Sequence, residues 1–458
     1  MPTILEIGLT TSGGHQRIGE LVLADPDEAT DRGAVGSMPG RFPAMVFQYD
    51  DEWLRHGFSL GADLPLIEGV QRPVVDPLET DPVLRARGAA FGFVCDHAPG
   101  LWVERLFAAA GSTQINALKG DECASASLRT AGQLWAAAGH AGHRFGALDL
   151  PLTHGNQREF SPLVLDLAKP REAAKTVREL TLAFEFLASG RGLLSTKDLE
   201  LLLTAATDVG GRSPKTLVAL GKKREAAVPG GGTSSQERIL RFAPAGDALN
   251  PAMVTAVARE LAARCGLSVV EGGLMGSAGY LEARFDRTPA GAPVFVQSAA
   301  TLVRRKRRSR AQPMAAAAGY LDAADILNRE GADAAGDLKE LFGRLLFNAL
   351  IGNNRDRLDQ IWLTPTSSGV KLLPMYAPTA TPSPATGGRQ LSTPIKGTGT
   401  IVTPEAVVAN ARYFGLSSAR AKMLCLEFTQ IVSGWREVAQ AVGADFFTVS
   451  QMTRLFEQ

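Results

Sequence analysis

Residues 195–220 read STKDLELLLTAATDVGGRSPKTLVAL, and several local codes follow one another within them. Ser195 stands three residues before Asp198, the spacing of a capping box, in which a hydroxyl and a carboxylate take up the orphan N–H groups of a helix start. Apolar residues follow at amphipathic-helix spacing. Gly210 and Gly211 then break the pattern, and Lys215 opens the short apolar run KTLVAL, which reads as a strand. Next comes the polar, glycine-rich connector GKKREAAVPGGGTSSQE (221–237), and RILRFAP (238–244) reads as a second strand. Two strands joined through a loose loop predict an antiparallel ribbon.

Downstream, NPAMVTAVARELAARCGL (250–267) is helical by pattern, with Gly266 near its end, and GYLEARFDR (279–287) is a strand running into a connector. Everything after about residue 300 reads as helical. In GDLKELFGRLLFNALIG (336–352), Leu338, Leu341, Phe342, Leu345, Leu346, Ala349 and Leu350 mark one broad apolar face. Thr403-Pro404-Glu405 and Ser417 or Ser418 are good helix starts. Upstream, Met45, Phe47 and Tyr49 alternate in AMVFQYD and RIGELVL (17–23) reads similarly, as half-buried strands. ADPDEATDRGAVGSMPG (24–40) is a loop by composition, and PGLWVERLFAAAG (99–111) places Leu101, Arg105 and Leu106 at helical spacing before Gly111. The expected class is α+β. A small α+β subdomain (1–144) precedes a strand-rich region (145–290) and an all-helical lobe (291–458).

Composition narrows the function classes. At roughly 150 residues per domain, 458 residues suggest about three. A hydrophobic fraction of 45% excludes global disorder. Lys+Arg 48 against Asp+Glu 47 excludes a protein that coats polyanions with its whole surface. Cys95, Cys123, Cys265 and Cys425 lie far apart without a CxxC, so a disulfide framework and a cysteine zinc site are not expected. No apolar run approaches the roughly 18 residues of a membrane span, and the N-terminus does not read as a signal peptide. A cytoplasmic protein with no membrane partner is expected.

GxxxxGK[ST], HExxH and GxSxG are absent. His140 and His143 in HAGH read as a surface turn rather than a metal site, and Lys396-Gly397-Thr398-Gly399 is too short for a phosphate loop. An ordered set stands out instead. VGGRSPKTLV is followed by ILRFAP, an amphipathic helix, ARFDR, and then IGNNRDRLDQIWL (351–363) with KLLPMY behind it. Glycine loop, basic residue on a neighbouring strand, helix, connector and polar loop follow the part order of a protein-kinase-like fold.

In these stretches the chain resembles the HipA family of toxin–antitoxin serine/threonine kinases. RIGELVL, FQYDDEWL and FSLGADLPL are similar to the family's N-terminal subdomain. FGFVCDHAPGLWVERLF, RFGAL, GGRSPK, RFDR, GYLDAADIL and FNALIGN occur in the family's order. The resemblance implies a two-lobed kinase-like fold, nucleotide contacts from Gly210, Gly211, Lys215, Arg241, Arg284, Phe285 and Asp286, and a HipB-like helix-turn-helix antitoxin as partner.

The departures bear on function. The family's catalytic loop usually reads Asn-Thr-Asp-Asp-His-Leu-x-Asn, whereas this chain has Asn353-Asn354-Arg355-Asp356-Arg357-Leu358-Asp359-Gln360. Arg355 falls on the family's catalytic aspartate, Gln360 on a metal-binding asparagine, and Ala377 on the aspartate after Tyr that binds magnesium. Arg241 replaces the strand lysine, and Thr255 falls where the partner glutamate is placed. A guanidinium, with a pKa above about 12, cannot accept a proton, and alanine offers no oxygen to a hard cation. Asp356 is the one candidate base left. The resulting expectation is a pseudokinase that acts by binding, with ATP as a ligand taken without metal and Mg²⁺ not expected.

Arg355, Arg357 and Arg241 either converge on phosphate oxygens or pair with Asp356 and Asp359. Asp208, where the family often carries a phosphorylatable serine, is either a fixed negative charge that locks the glycine loop out or an ordinary turn residue. Arg304-Arg305-Lys306-Arg307-Arg308-Ser309-Arg310 is a solvated loop or a nucleic-acid contact, so DNA is a partner either through the antitoxin or through this run. Two alternatives stay open: an active HipA-like kinase that phosphorylates a translation component, and a nucleic-acid-binding regulator.

Overall fold

The computed structural model describes residues 3–23, 44–73, 90–98, 146–149, 163–165, 169–189, 195, 197–198, 201–202, 209, 213–220, 237–242, 249–275, 279–303, 318–382, 387–397 and 399–457. They divide into two units. One holds the described residues up to Phe242 together with Asp286–Phe295; the other runs from Leu249 to Phe285 and from Val296 onward.

In the first unit, period-two alternation becomes sheet. β1 (Thr3–Thr11) and β2 (Gly14–Leu23) form an antiparallel hairpin, β3 (Met45–Tyr49) adds to β2, and β4 (Leu148–Asp149) adds to β1. Met45, Phe47 and Tyr49 all turn inward, as their alternation predicts. They join Leu5, Ile7, Leu21 and Trp53 in a core closed by α1 (Asp51–His56) and α2 (Gly92–His97). The Phe47 ring meets Tyr49 and Phe93 edge-on, with centroids 4.9 and 5.6 Å apart.

A second sheet in this unit runs β5 (Leu163–Leu165), β6 (Lys215–Leu220), β7 (Glu237–Phe242). β5 is parallel to β6, and β6 is antiparallel to β7, so the expected ribbon forms. α3 (Pro170–Ser189) packs on β7 and sets Phe184 edge-on to Phe242. The hydroxyl half of the expected capping box forms: the Asp198 N–H donates to Ser195 Oγ at 3.1 Å, while the Asp198 carboxylate accepts from that hydroxyl at 2.6 Å.

The second unit begins with α4 (Pro251–Arg264), whose start is capped by the Asn250 side chain. The hairpin β8 (Gly272–Met275) and β9 (Gly279–Ala283) lies on α4 through Tyr280, Ala252 and Ala256. After β10 (Gln297–Ser298) and α5 (Ala299–Val303) come α6 (Tyr320–Glu330) and α7 (Ala334–Ile351). α7 is buried nearly all round, as expected of a central helix. Of the seven residues read as its face, six are buried and Leu350 is half-buried.

The helical reading beyond residue 300 needs a correction. β11 (Trp362–Thr366) and β12 (Gly369–Leu372) form a hairpin across Ser367-Ser368, and β10 pairs with β11 to make three strands. β13 (Arg389–Gln390) and β14 (Ile401–Val402) make a further short pair. WLTPT mixes β-branched with large apolar residues, and the two serines supply the turn, so strand pairing wins over helix there. Helix returns with α8 (Pro404–Ala409), α9 (Ser418–Ser433), α10 (Trp435–Ala441) and α11 (Phe446–Phe456). Thr403 and Ser417 cap α8 and α9.

Polar groups on α7 fix the segments that flank the site. Asp337 accepts the Leu372 N–H at 2.9 Å. Arg344 donates to Glu340 at 2.9 Å and to the Leu373 carbonyl at 2.7 Å, and Glu340 in turn accepts the Ser268 N–H at 3.1 Å. Cys95, Cys265 and Cys425 are free thiols, and among the described residues no helix is long and apolar enough to cross a membrane.

Candidate functional site

α7 ends where the chain must reverse. Gly352 takes a left-handed conformation (φ 67°) and returns its N–H to the Asn348 carbonyl, an end that favours glycine because a Cβ is strained there. The loop that follows, through a 3₁₀ turn at Leu358–Gln360, leads into β11. Two hydrogen-bonded chains organise it.

The first chain centres on Asp356. Its Oδ2 accepts from the Tyr320 hydroxyl, at the start of α6, and from Asn348 Nδ2 on α7. Asn348 Nδ2 also reaches Tyr320 Oη at 3.0 Å. Asn353 Nδ2 donates to Asn348 Oδ1 at 3.1 Å, and Asn353 Oδ1 accepts the Arg355 N–H at 3.2 Å, the local turn that asparagine favours. Thr381 fastens the loop's other edge, donating to the Gly352 carbonyl and accepting the Asn354 N–H at 3.3 Å.

The second chain runs outward from Asp359. Arg357 grips both its oxygens in a fork, with Nε to Oδ1 at 2.9 Å. Gln360 Nε2 donates to the Asp359 carbonyl at 2.9 Å, and Gln360 Oε1 accepts the Tyr376 hydroxyl. The Tyr376 ring lies on Phe285 at 4.7 Å, and Phe285 meets Trp362 at 5.9 Å. One residue on, Ala377 has φ 41°, a left-handed conformation costly for a residue with a Cβ.

Electrostatics set Asp356 apart. Burial, with a smaller contribution from the like charge of Asp359, pushes its carboxyl up to about 7. The two donors on Oδ2 work in the opposite direction but are outweighed. Arg355, at the position the resemblance assigns to a catalytic aspartate, has an exposed side chain.

The other predicted contacts are distributed as follows. Lys215, 1% exposed, lies directly across from Arg241 in the β6–β7 register, so the sheet presents two cations on one face. Arg284 is buried and Phe285 belongs to the aromatic group around Tyr376. Asp286, in the first unit, accepts the Gly146 N–H at 2.7 Å and pairs with Arg287 at 2.9 Å, and Arg287 donates back to the Gly146 carbonyl at 3.0 Å. Two of the sequence motifs, RFGAL and RFDR, are thus held together, with Gly146 at φ 75°. Thr255 is buried on α4, whose carboxylate, Glu260, pairs with Arg264 at 3.1 Å. Gly210, Gly211, Asp208, Cys123, His140, His143, Thr398, the loops 24–40 and 221–236, the helix read in 99–111 and the basic run 304–310 lie outside the described residues.

The donor set does not suit Mg²⁺, which takes oxygens, carboxylates above all. Arg355 brings a positive charge and Ala377 no side-chain oxygen. Gln360 Oε1 accepts from Tyr376, and both Asp359 oxygens face Arg357. Among the described residues no group of three or more His, Cys, Asp or Glu could hold a metal ion. Of the two fates considered for the arginines, Arg357 takes the pairing one.

Sequence reasoning missed Tyr320, Asn348, Asn353, Tyr376 and Thr381 as parts of the site. Tyr320 lies in GYLDAADIL, and Asn348 and Asn353 lie in FNALIGN, so their motifs were visible while their convergence on Asp356 was not. Asn348 offered one signal: a fully buried amide in the last turn of an apolar helix needs polar partners.

No curated protein matches. The chain resembles a chain of the Shewanella oneidensis MR-1 toxin–antitoxin complex of HipA, HipB and operator DNA, with a TM-score of 0.57 and 16% identity over 99% of this chain and 96% of that one, a likeness of fold. The sequence model of the HipA-like C-terminal domain matches residues 207–435, half of the chain, and spans β6, β7, α7 and the loop with both its hydrogen-bonded chains. By that match this chain belongs to the HipA family.

Proposed function

We propose that the chain is the toxin-family member of a type II toxin–antitoxin pair and that it works by binding, as a pseudokinase. The observation that carries this is the occupation of the loop: a cation stands at 355, Asp356 faces two protein donors, and Asp359 is gripped by Arg357. Phosphoryl transfer depends on positioned charge around the transferred group. Removing one such group typically costs on the order of 10²–10³ in rate, and here the base and the metal ligands are substituted together.

ATP is the expected ligand, held by Gly210, Gly211, Lys215 and Arg241 without metal. A HipB-like helix-turn-helix antitoxin is the expected partner, with operator DNA reached through it or through residues 304–310. The Shewanella complex, solved with HipB and operator DNA, supports that choice of partners. A cytoplasmic location goes with this reading.

A second reading, an active serine/threonine kinase with Asp356 as base, is favoured by one feature: a carboxyl pushed up to about 7 lies in the range that suits a general base. Transfer of radiolabelled phosphate from ATP separates the two. The wild type is expected to transfer none, and the Arg355→Asp/Ala377→Asp double variant to gain measurable transfer with Mg²⁺. Transfer by the wild type that Asp356→Asn abolishes would establish the kinase instead. In parallel, ATP should raise the melting temperature equally in magnesium and in EDTA; no shift in either refutes nucleotide binding.

A further inference from the structure

We propose that the loop 353–360 is a proton-operated clasp, held against α6 and α7 while the Asp356 carboxyl is neutral and loosened when it ionises. This goes beyond the binding reading and does not depend on it. Asp356 is the point at which the loop is tied to two different helices, through Tyr320 on α6 and Asn348 on α7. Both partners are neutral. Of the charged groups on the loop, Asp359 acts on it with like sign, Arg357 is forked onto Asp359, and Arg355 has an exposed side chain. From α6 the Tyr320 phenol meets Asp356, while Asp322 on the first turn caps the Gly319 N–H at 2.9 Å. On α7 the ionisable group one turn back, Arg344, is engaged by Glu340 and the Leu373 carbonyl.

A charge placed there strengthens the two hydrogen bonds already made but loses much of its water and faces a second carboxylate. Burial dominates, and the carboxyl is pushed up to about 7. Ionisation therefore draws water in at the joint where the loop meets both helices. Asn353, which bridges Asn348 to the Arg355 N–H, passes that loosening to the residue at the family's catalytic position.

Hydrogen exchange in the full-length protein, followed on the peptide spanning 350–361 and corrected for intrinsic rates, tests this. Between pH 6 and pH 8 the ionised fraction passes from about one tenth to about nine tenths for a group near 7. Loop protection in the wild type should fall roughly tenfold across that interval, and Asp356→Asn, which keeps an acceptor for both donors but cannot ionise, should keep equal protection at both values. Unchanged protection in the wild type, or the same fall in Asp356→Asn, overturns the clasp. If Asp356→Asn does not fold, Tyr320→Phe serves: losing a donor to the charged form must move the midpoint to higher pH, and an unmoved midpoint overturns the proposal.

Discussion

Asp286 and Asp356 do the same geometric job in different company. Each gathers partners far away in sequence, Gly146 for one and Tyr320 for the other. Asp286 is fully buried and has a guanidinium beside it, with Arg287 closing the triangle through the Gly146 carbonyl. Asp356 is half-buried and has two neutral donors and a neighbouring carboxylate. A buried charge with a charged partner is costly to break, because what remains is an uncompensated ion. A carboxyl held by neutral donors can be replaced by an amide of the same shape. One aspartate is a permanent brace, the other an adjustable one.

The largest expected effect breaks the brace. Asp286→Ala removes the carboxylate that pairs with the Arg287 guanidinium and leaves the Gly146 N–H without its acceptor, and should lower stability by about 3–5 kcal/mol. Urea unfolding followed by circular dichroism reads this directly. A loss as small as that of an ordinary surface substitution would show that the two aspartates are alike after all.

The contrast sharpens through pH. The Asp356 carboxyl titrates near 7 in the folded chain and near 3.9 when unfolded, so between those values the folded state holds the extra proton. Its contribution is therefore fully present below about pH 4 and is lost as pH rises through about 7. Because the residue is partly solvated, the loss should amount to on the order of 1–2 kcal/mol rather than the full linkage value. The measurement is the difference between the stability–pH curves of the wild type and Asp356→Asn over pH 4–8. Parallel curves would remove the special standing of Asp356.

What could be read in advance follows from how far each signal reaches along the chain. The strands around Met45–Tyr49, the broad face of α7 and the caps at Ser195, Thr403 and Ser417 depend on neighbours within a few residues, and these were legible. The bond from Gly146 to Asp286 spans 140 residues, and that from Tyr320 to Asp356 spans 36. No periodicity encodes such meetings; only the fold makes them. The β11–β12 hairpin is different, because its turn serines and β-branched residues were in plain view and the long helical run before it masked them. At the site, Arg355 and Ala377 were legible as substitutions, while the engagement of Asp356 and Gln360 by tyrosines was not.

Ala377 carries the smallest expected effect. Its φ of 41° lies in the left-handed region, where a Cβ costs roughly 1–2 kcal/mol. Glycine removes that cost but gives the unfolded chain more freedom, which takes back about 0.5–1 kcal/mol. Ala377→Gly should therefore stabilise the protein by about 0.5–1 kcal/mol, seen as a small rise in melting temperature. Aspartate tolerates the same conformation better than alanine does, so Ala377→Asp should not unfold the segment, and the double variant used to test phosphoryl transfer starts from a backbone already shaped for it. Destabilisation by both substitutions would mean that the alanine methyl packs in a way that outweighs its strained backbone.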